Sequence, residues 1–200
     1  MKKHIISKNE VGLDESGRGT LLGRVYAGAV IWPENLECDL INDSKKLNKK
    51  KRINALEWIK NNITHWSYGY AEVSEIDDIN ILNASQLAMQ RAVEKLNILP
   101  DNLIIDGNRW TQREINGQLI PYQCIVKGDS KVYSVAAASI IAKEYHDEHI
   151  REICTDEMNE RYGLLNNMGY STKQHMEGII KFGITKYHRK SFSPCNKNKK

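Results

Sequence analysis

Four carboxylates in similar settings are the residues of this 200-residue chain best suited to chemistry. Asp14 and Glu15 follow the apolar stretch 11–13, Asp106 ends "NLIID", and Asp129 ends "PYQCIVKGD"; each lies next to or near a glycine. Taken singly, Asp and Gly are simply turn residues that end strands. Three such ends in one small chain carry more weight, because open α/β sheets place ligand sites outside strand ends. Carboxylates gathered in one pocket cannot all stay ionised without a counter-charge, since like charges within about 4–6 Å push one another's pKa up. A hard divalent cation such as Mg²⁺ or Mn²⁺, which prefers oxygen ligands, resolves the conflict. Two such ions roughly 3.5–4 Å apart form the clamp used for in-line phosphodiester displacement. That chemistry needs no Ser, Cys or His nucleophile, and the chain carries no G-x-S-x-G elbow, no P-loop and no H-E-x-x-H.

Such acids need elements to bring them together. Strands are predicted at 11–13, 24–32 ("RVYAGAVIW", stopped by Pro33), 65–73, 102–107 and 121–129. Helices are predicted at 47–62, with Asn48 as cap and Ile53, Leu56 and Ile59 on one face, and at 83–98. A long helix is predicted over 134–163, opening with small residues that allow close packing on a sheet, and a short one in "TKQHMEGIIKFG", stopped by Gly183. Strands first, then strands interleaved with helices, predict an α/β fold. It has a mixed central sheet flanked by helices and a small helical C-terminal part. The catalytic domain is expected over 1–163, with a helical extension and basic tail over 164–200 packed on the same domain.

Bulk properties suit one soluble domain: 40% hydrophobic, 27% charged, net charge +4. "SKKLNKKKR" and the stretch from "KYHRKSF" to "NKNKK" concentrate the basic residues, as either solvated surfaces or contacts to a polyanion. Cys38, Cys124, Cys154 and Cys195 have no CxxC spacing, so neither a zinc site nor a disulfide framework is expected. The N-terminus lacks the apolar core of a secretory signal and no apolar run is long enough to span a bilayer, so a reducing, cytoplasmic setting without membrane contact is expected.

Five blocks, "GLDESGRGTLLGRVYAGAV", "NDSKKLNKKKR", "IIDGN", "VKGDSKVYSVAAASIIAKEYHDE" and "YGLLNNMGYSTKQHMEGIIKFGITKYHRKSF", together resemble the type 2 ribonuclease H family, most closely ribonuclease HII. They occur in the family's order across residues 11–192. The resemblance implies a ribonuclease H-like fold and a metal-binding tetrad of Asp14, Glu15, Asp106 and Asp129 holding two Mg²⁺ or Mn²⁺ ions. Asp147 competes for the fourth place and is assigned at most a supporting position behind it. The Gly17-Arg18-Gly19 turn, with Tyr170, is implied to read the 2′-hydroxyl that distinguishes RNA from DNA, the tyrosine ring packing on the next, deoxy sugar at an RNA-to-DNA junction. Ser44, Lys45, Lys46, Lys143, His188, Arg189 and Lys190 are the implied phosphate contacts, Lys143 alternatively pairing with an acid of the metal site.

The implied activity is endonucleolytic hydrolysis of the RNA strand of RNA–DNA hybrids and nicking of duplex DNA 5′ to embedded ribonucleotides, leaving 3′-hydroxyl and 5′-phosphate ends. A monomer is expected. The family usually has prolines where this chain has Thr20, Arg24 and Ser171; their absence predicts a looser Gly-Arg-Gly turn. Three alternatives stand beside this reading. A ribonuclease HIII-like specificity usually comes with an additional N-terminal domain, for which residues 1–10 leave no room. A non-catalytic hybrid-binding module gains nothing from acids facing phosphates. An unrelated α/β nucleotide-binding protein should show a glycine-rich phosphate loop.

Overall fold

The computed structural model describes residues 8–198. In chain order the elements are β1 (Glu10–Ser16), β2 (Val25–Ile31), α1 (Lys49–Asn62), β3 (Trp66–Ala71), α2 (Val73–Glu94) and β4 (Asn102–Asp106). A short hairpin follows, β5 (Glu114–Ile115) and β6 (Gln118–Leu119), then β7 (Tyr122–Ile125), α3 (Tyr133–Ile153), α4 (Asp156–Tyr162), α5 (Leu164–Asn167) and α6 (Lys173–Phe182). The central sheet runs β3-β2-β1-β4-β7. Strand β2 is antiparallel to both β1 and β3, whereas β1, β4 and β7 are parallel. The mixed sheet with helices on both faces is the predicted architecture.

The sequence explains the layering. Strand β2, "VYAGAVI", is buried at every position, as an inner strand covered on both faces requires. The small residues opening α3, Ala136 to Ala138, let that helix lie directly on the sheet, and a Cβ at Gly28 would collide with the Ala138 backbone. Helix α2 covers the other face, packing Ala84, Ala88, Ala92 and Val93 against Leu13, Ala27, Leu103 and Ile105. The C-terminal helices form a separate cluster in which Tyr162, Leu164 and Ile179 pack on Leu21, Leu22 and Ile150. The extension is thereby fastened to the loop leaving β1.

Several expectations are corrected. Strand β1 continues to Ser16, so Asp14 and Glu15 lie within it rather than after it. Asp129 stands on a 3-10 turn, Gly128–Ser130, entered through Lys127 in the left-handed region (φ 58°), and not on a strand end. The helix expected over 134–163 is two helices: α3 stops at Ile153, and Thr155 caps α4, its Oγ1 accepting from Met158 N at 3.2 Å. Helix α2 begins at Val73, not Asn83, under a capping box of Glu72 and Glu75, and kinks at Asn80 (φ 67°). Asn48 does cap α1, accepting from Lys51 N at 3.0 Å, but Ala55 and Ile59 bury its face while Ile53 is exposed. The N-terminal basic stretch through Ser7 and the last two lysines of the tail lie outside the described residues.

Candidate active site

The parallel strands β1 and β4 run side by side, with Leu13 opposite Ile105, so Asp14 and Asp106 come one step beyond that pair. Side chains alternate along a strand. Leu13 and Ile105 belong to the apolar layer under α2. Gly12 faces Ser134 of α3, and Ile104 packs on Val132 and Val135 at the start of α3. Asp14 and Asp106 therefore share the α3 face. The turn leading into α3 supplies the third acid: Asp106 Oδ1 accepts the Gly128 N–H at 2.7 Å, tying the end of β4 to the residue before Asp129. Asp14, Asp106 and Asp129 each offer an oxygen within 4.8 Å of the others.

Electrostatics in this cluster are unfavourable as it stands. Burial, then the charges of Glu15, Asp106 and Asp129, raise the Asp14 carboxyl well above the usual carboxylate range, against the Glu15 N–H that donates to its Oδ1 at 2.7 Å. Burial and then Asp106 and Asp43 raise Asp129. Lys45 offers a counter-charge 3.7 Å from Asp129 Oδ2, but its side chain is 79% exposed and screened by water. Three converging carboxylates with too little positive charge, all oxygen donors, fit a hard divalent cation. Asp14, Asp106 and Asp129 would hold it.

Glu15, the remaining expected ligand, is not among the three converging oxygens. Next to Asp14 but on the opposite face, it turns to Arg18, whose Nη1 donates to Oε1 at 2.9 Å. Burial raises its carboxyl and Arg18 offsets part of that rise. Glu15 lies at the seam of two cavities. A cleft of about 510 Å³ is lined by Asp14, Glu15, the Gly17-Arg18-Gly19 turn, Ser44, Lys45, Lys143 and Tyr170. A smaller cavity of about 150 Å³ runs under α2 from Glu15, Arg18 and Asp106 to Gln86, Asn108 and Arg109. Asn108 closes the "IIDGN" block and Arg109 follows it, but neither was assigned a role from the sequence.

Tyr170 is 39% exposed, a cleft-wall residue rather than a core aromatic. Its Cε1 lies 3.7 Å from where a Gly19 side chain would begin. At the positions where the family's prolines are missing, buried Thr20 donates from Oγ1 to Gly17 O at 3.0 Å, and Arg24 pairs with Glu72 at 2.7 Å and lies over the Tyr70 ring. Ser44 reaches the cleft on a loop pinned to α3, its N–H donating to Ser139 Oγ at 3.3 Å.

The basic residues divide. Lys45 and Lys143 border the cleft, whereas Lys46 does not line it and lies 4.0 Å from Asp43. Lys143 Nζ binds Asp147 Oδ1 at 2.8 Å, not an acid of the cluster, and sits 5.4 Å from the centre of the Tyr170 ring. Asp147 is buried at the centre of a polar network, receiving also Arg52 at 3.4 Å and His146 Nδ1 at 3.0 Å. Burial pushes its carboxyl up, but the bonds from His146 and Lys143 outweigh that and hold it below the usual range. Arg52, part of the basic run, is spent here, with Glu144 at 2.6 Å. The expected phosphate contacts of His188 and Arg189 are not available, since both side chains are fully buried and their hydrogen bonds are internal; of the three basic residues there, only Lys190 is exposed. Charged residues default to the surface, so nothing in "HRKSF" signals this.

The family model for ribonuclease HII matches residues 11–195. The ribonuclease HII of Parabacteroides distasonis is 47% identical over 184 residues, covering 92% of this chain and 89% of its own. Among solved structures, ribonuclease H2 from Pyrococcus horikoshii superposes with a TM-score of 0.73 at 23% identity, covering 94% of this chain and 95% of its own. A Bst ribonuclease HIII in complex with Mn²⁺ superposes at 0.71 with 20% identity, covering 94% of this chain and 68% of its own. Likeness at those identities concerns the fold, while the matched model and the close relative concern descent, and on them the chain belongs to the ribonuclease HII family.

Proposed function

We propose that the protein is an endonuclease that hydrolyses the RNA strand of RNA–DNA hybrids and nicks duplex DNA 5′ to embedded ribonucleotides, leaving 3′-hydroxyl and 5′-phosphate ends. One observation carries the reading. Asp14, one of the three converging carboxylates, lines the same cleft as the Gly17-Arg18-Gly19 turn and the exposed Tyr170. Divalent cations, two per site and Mg²⁺ or Mn²⁺ by donor chemistry, would supply charge stabilisation of the phosphoryl oxygens and an acidified water.

The chain's own residues then divide the remaining work. Asp14, Asp106 and Asp129 hold the cations, with Glu15 at their edge. The backbone of Gly17-Arg18-Gly19 approaches the ribose closely where Gly19 has no side chain, and Tyr170, against Gly19, closes on the adjacent sugar. A 2′-hydroxyl is the local mark of RNA, so a tight pocket beside the scissile phosphate is the place to read it. Lys45, Lys143 and Arg18 meet phosphates, with Ser44 beside them, giving salt-dependent affinity without sequence preference. A module that only binds hybrids would be weakened by acids facing phosphates, which disfavours that alternative.

Duplex DNA carrying one ribonucleotide, incubated with the protein and Mg²⁺ or Mn²⁺, should be nicked once, on the 5′ side of the ribonucleotide. Mapping the ends tests this: 2′,3′-cyclic phosphate products, or nicking of an all-DNA duplex at the same rate, would refute the reading.

A further inference from the structure

Behind the cleft wall, His188 and Arg189 stand next to each other in the chain and wholly out of solvent. The Arg189 guanidinium spends donors on three backbone carbonyls: Nε on Gly23 at 3.0 Å, Nη1 on Arg18 at 3.1 Å and Nη2 on Arg24 at 3.2 Å. One of these lies inside the Gly-Arg-Gly turn and two lie at the far end of the loop leaving it. A guanidinium is planar and its donors form a rigid fork, so it fixes the span between those carbonyls as a flexible ammonium would not.

His188 reaches the other recognition element. The Thr185 N–H donates to His188 Nδ1 at 2.9 Å, which leaves the His188 proton on Nε2. That nitrogen is 3.2 Å from His175 Nε2, so His175 accepts there and carries its own proton on Nδ1, 3.0 Å from the Tyr170 carbonyl. The chain of bonds has one self-consistent direction, from Thr185 through two neutral imidazoles to the backbone of Tyr170. Burial supports neutrality, lowering His175 and pushing His188 down to about 4. Backbone pairing joins the two arms: Leu22 bridges to His188, Thr20 bridges to Tyr170, and the Arg189 N–H donates to Leu21 O at 2.8 Å.

We infer that His188 and Arg189 are positioning residues that hold the Gly17-Arg18-Gly19 turn and Tyr170 at a fixed separation, and that they set the enzyme's preference for a ribonucleotide junction without touching substrate. The inference rests on the proposed reading in which the turn and Tyr170 recognise the ribose and the sugar after it. Tyr170 already touches the Gly19 position, so a small displacement of either partner opens or closes the pocket. Misplacement by about 1 Å can cost on the order of a hundredfold in rate.

The test uses the intact protein with two probes, duplex DNA with one ribonucleotide and a continuous RNA–DNA hybrid, cleaved by the same preparation in Mg²⁺. Any unfolded fraction cancels in the ratio of the two kcat/KM values, so a merely structural role leaves the ratio unchanged. Arg189→Lys and His188→Gln are expected to lower the ratio of junction to hybrid cleavage about tenfold, chiefly through kcat on the junction substrate. Tyr170→Ala, measured alongside, separates the two levels. If Tyr170→Ala lowers the ratio and the buried variants do not, the positioning inference is overturned and the recognition reading stands. If Tyr170→Ala leaves the ratio unchanged, the recognition reading fails and takes the inference with it. Should Arg189→Lys or His188→Gln not fold, His175→Gln, which removes the imidazole between His188 and the Tyr170 carbonyl and leaves the Arg189 bonds in place, carries the test with the same two outcomes.

Discussion

Asp14 and Glu15 are neighbours in the chain yet face opposite sides of the sheet, Asp14 joining Asp106 and Asp129 on the α3 side and Glu15 pairing with Arg18 beside the cavity under α2. The adjacent pair is thus two different groups. One is committed to the carboxylate cluster. The other stands between that cluster and the Gly17-Arg18-Gly19 turn.

His146 occupies the space in which a side chain at Gly17 would begin: an added Cβ would collide with its Cδ2 and lie 2.8 Å from its Nε2, and the φ of +88° is itself unfavourable for any other residue. Gly17→Ala should therefore cost about 1–3 kcal/mol of stability from the backbone conformation and the clash. Because the turn must move to relieve it, cleavage at a single ribonucleotide should fall as well. Chemical denaturation and single-turnover cleavage of the variant check both; unchanged stability would mean the turn is not held as described.

Asp147 anchors Arg52, Lys143 and His146 but contributes no oxygen to the acid cluster. Removing one partner of a buried charge network is costly, about 3–5 kcal/mol. Asp147→Asn should lower the denaturant midpoint accordingly while leaving the Mg²⁺ or Mn²⁺ concentration for half-maximal activity nearly unchanged in the fraction that remains folded. A strong shift in metal dependence would move Asp147 into the metal site.

The buried histidines predict a pH dependence. His188 is held down to about 4 by burial and by His175, below the free value near 6.5. A base with a depressed folded pKa is protonated more readily when unfolded, so its neutral form favours the fold above about pH 6.5. That contribution is lost as pH falls from about 6.5 toward 4, and amounts to roughly 3 kcal/mol at most. Thermal midpoints between pH 4 and 8 should fall on the acid side, and His188→Gln should flatten part of that slope. An identical slope in the variant would contradict the neutral relay.

Much of this was legible beforehand. Apolar runs ending in Asp or Gly-Asp located the three acid-bearing segments, and small residues after "KGDSKVY" located the helix that lies on the sheet. Alternation within β1 could also have separated Asp14 from Glu15, had the strand been carried past Leu13. The helix break at Thr155 was signalled by Thr, Asp and Glu in sequence, but the surrounding helical pattern masked it. The fates of Arg52, His188 and Arg189 were not legible. Each belongs to a basic stretch that composition assigns to the surface, and only tertiary packing, distant in sequence, supplies the carbonyls and carboxylates that bury them.

Cleavage of duplex DNA with one ribonucleotide by the wild type, Asp14→Asn and Asp106→Asn, each with Mg²⁺ and with chelator, tests the shared metal centre most directly. Activity should require the cation and fall at least about a hundredfold in either variant, while hybrid binding persists. Undiminished turnover in either variant, or wild-type cleavage in chelator at the rate seen with Mg²⁺, would contradict the account.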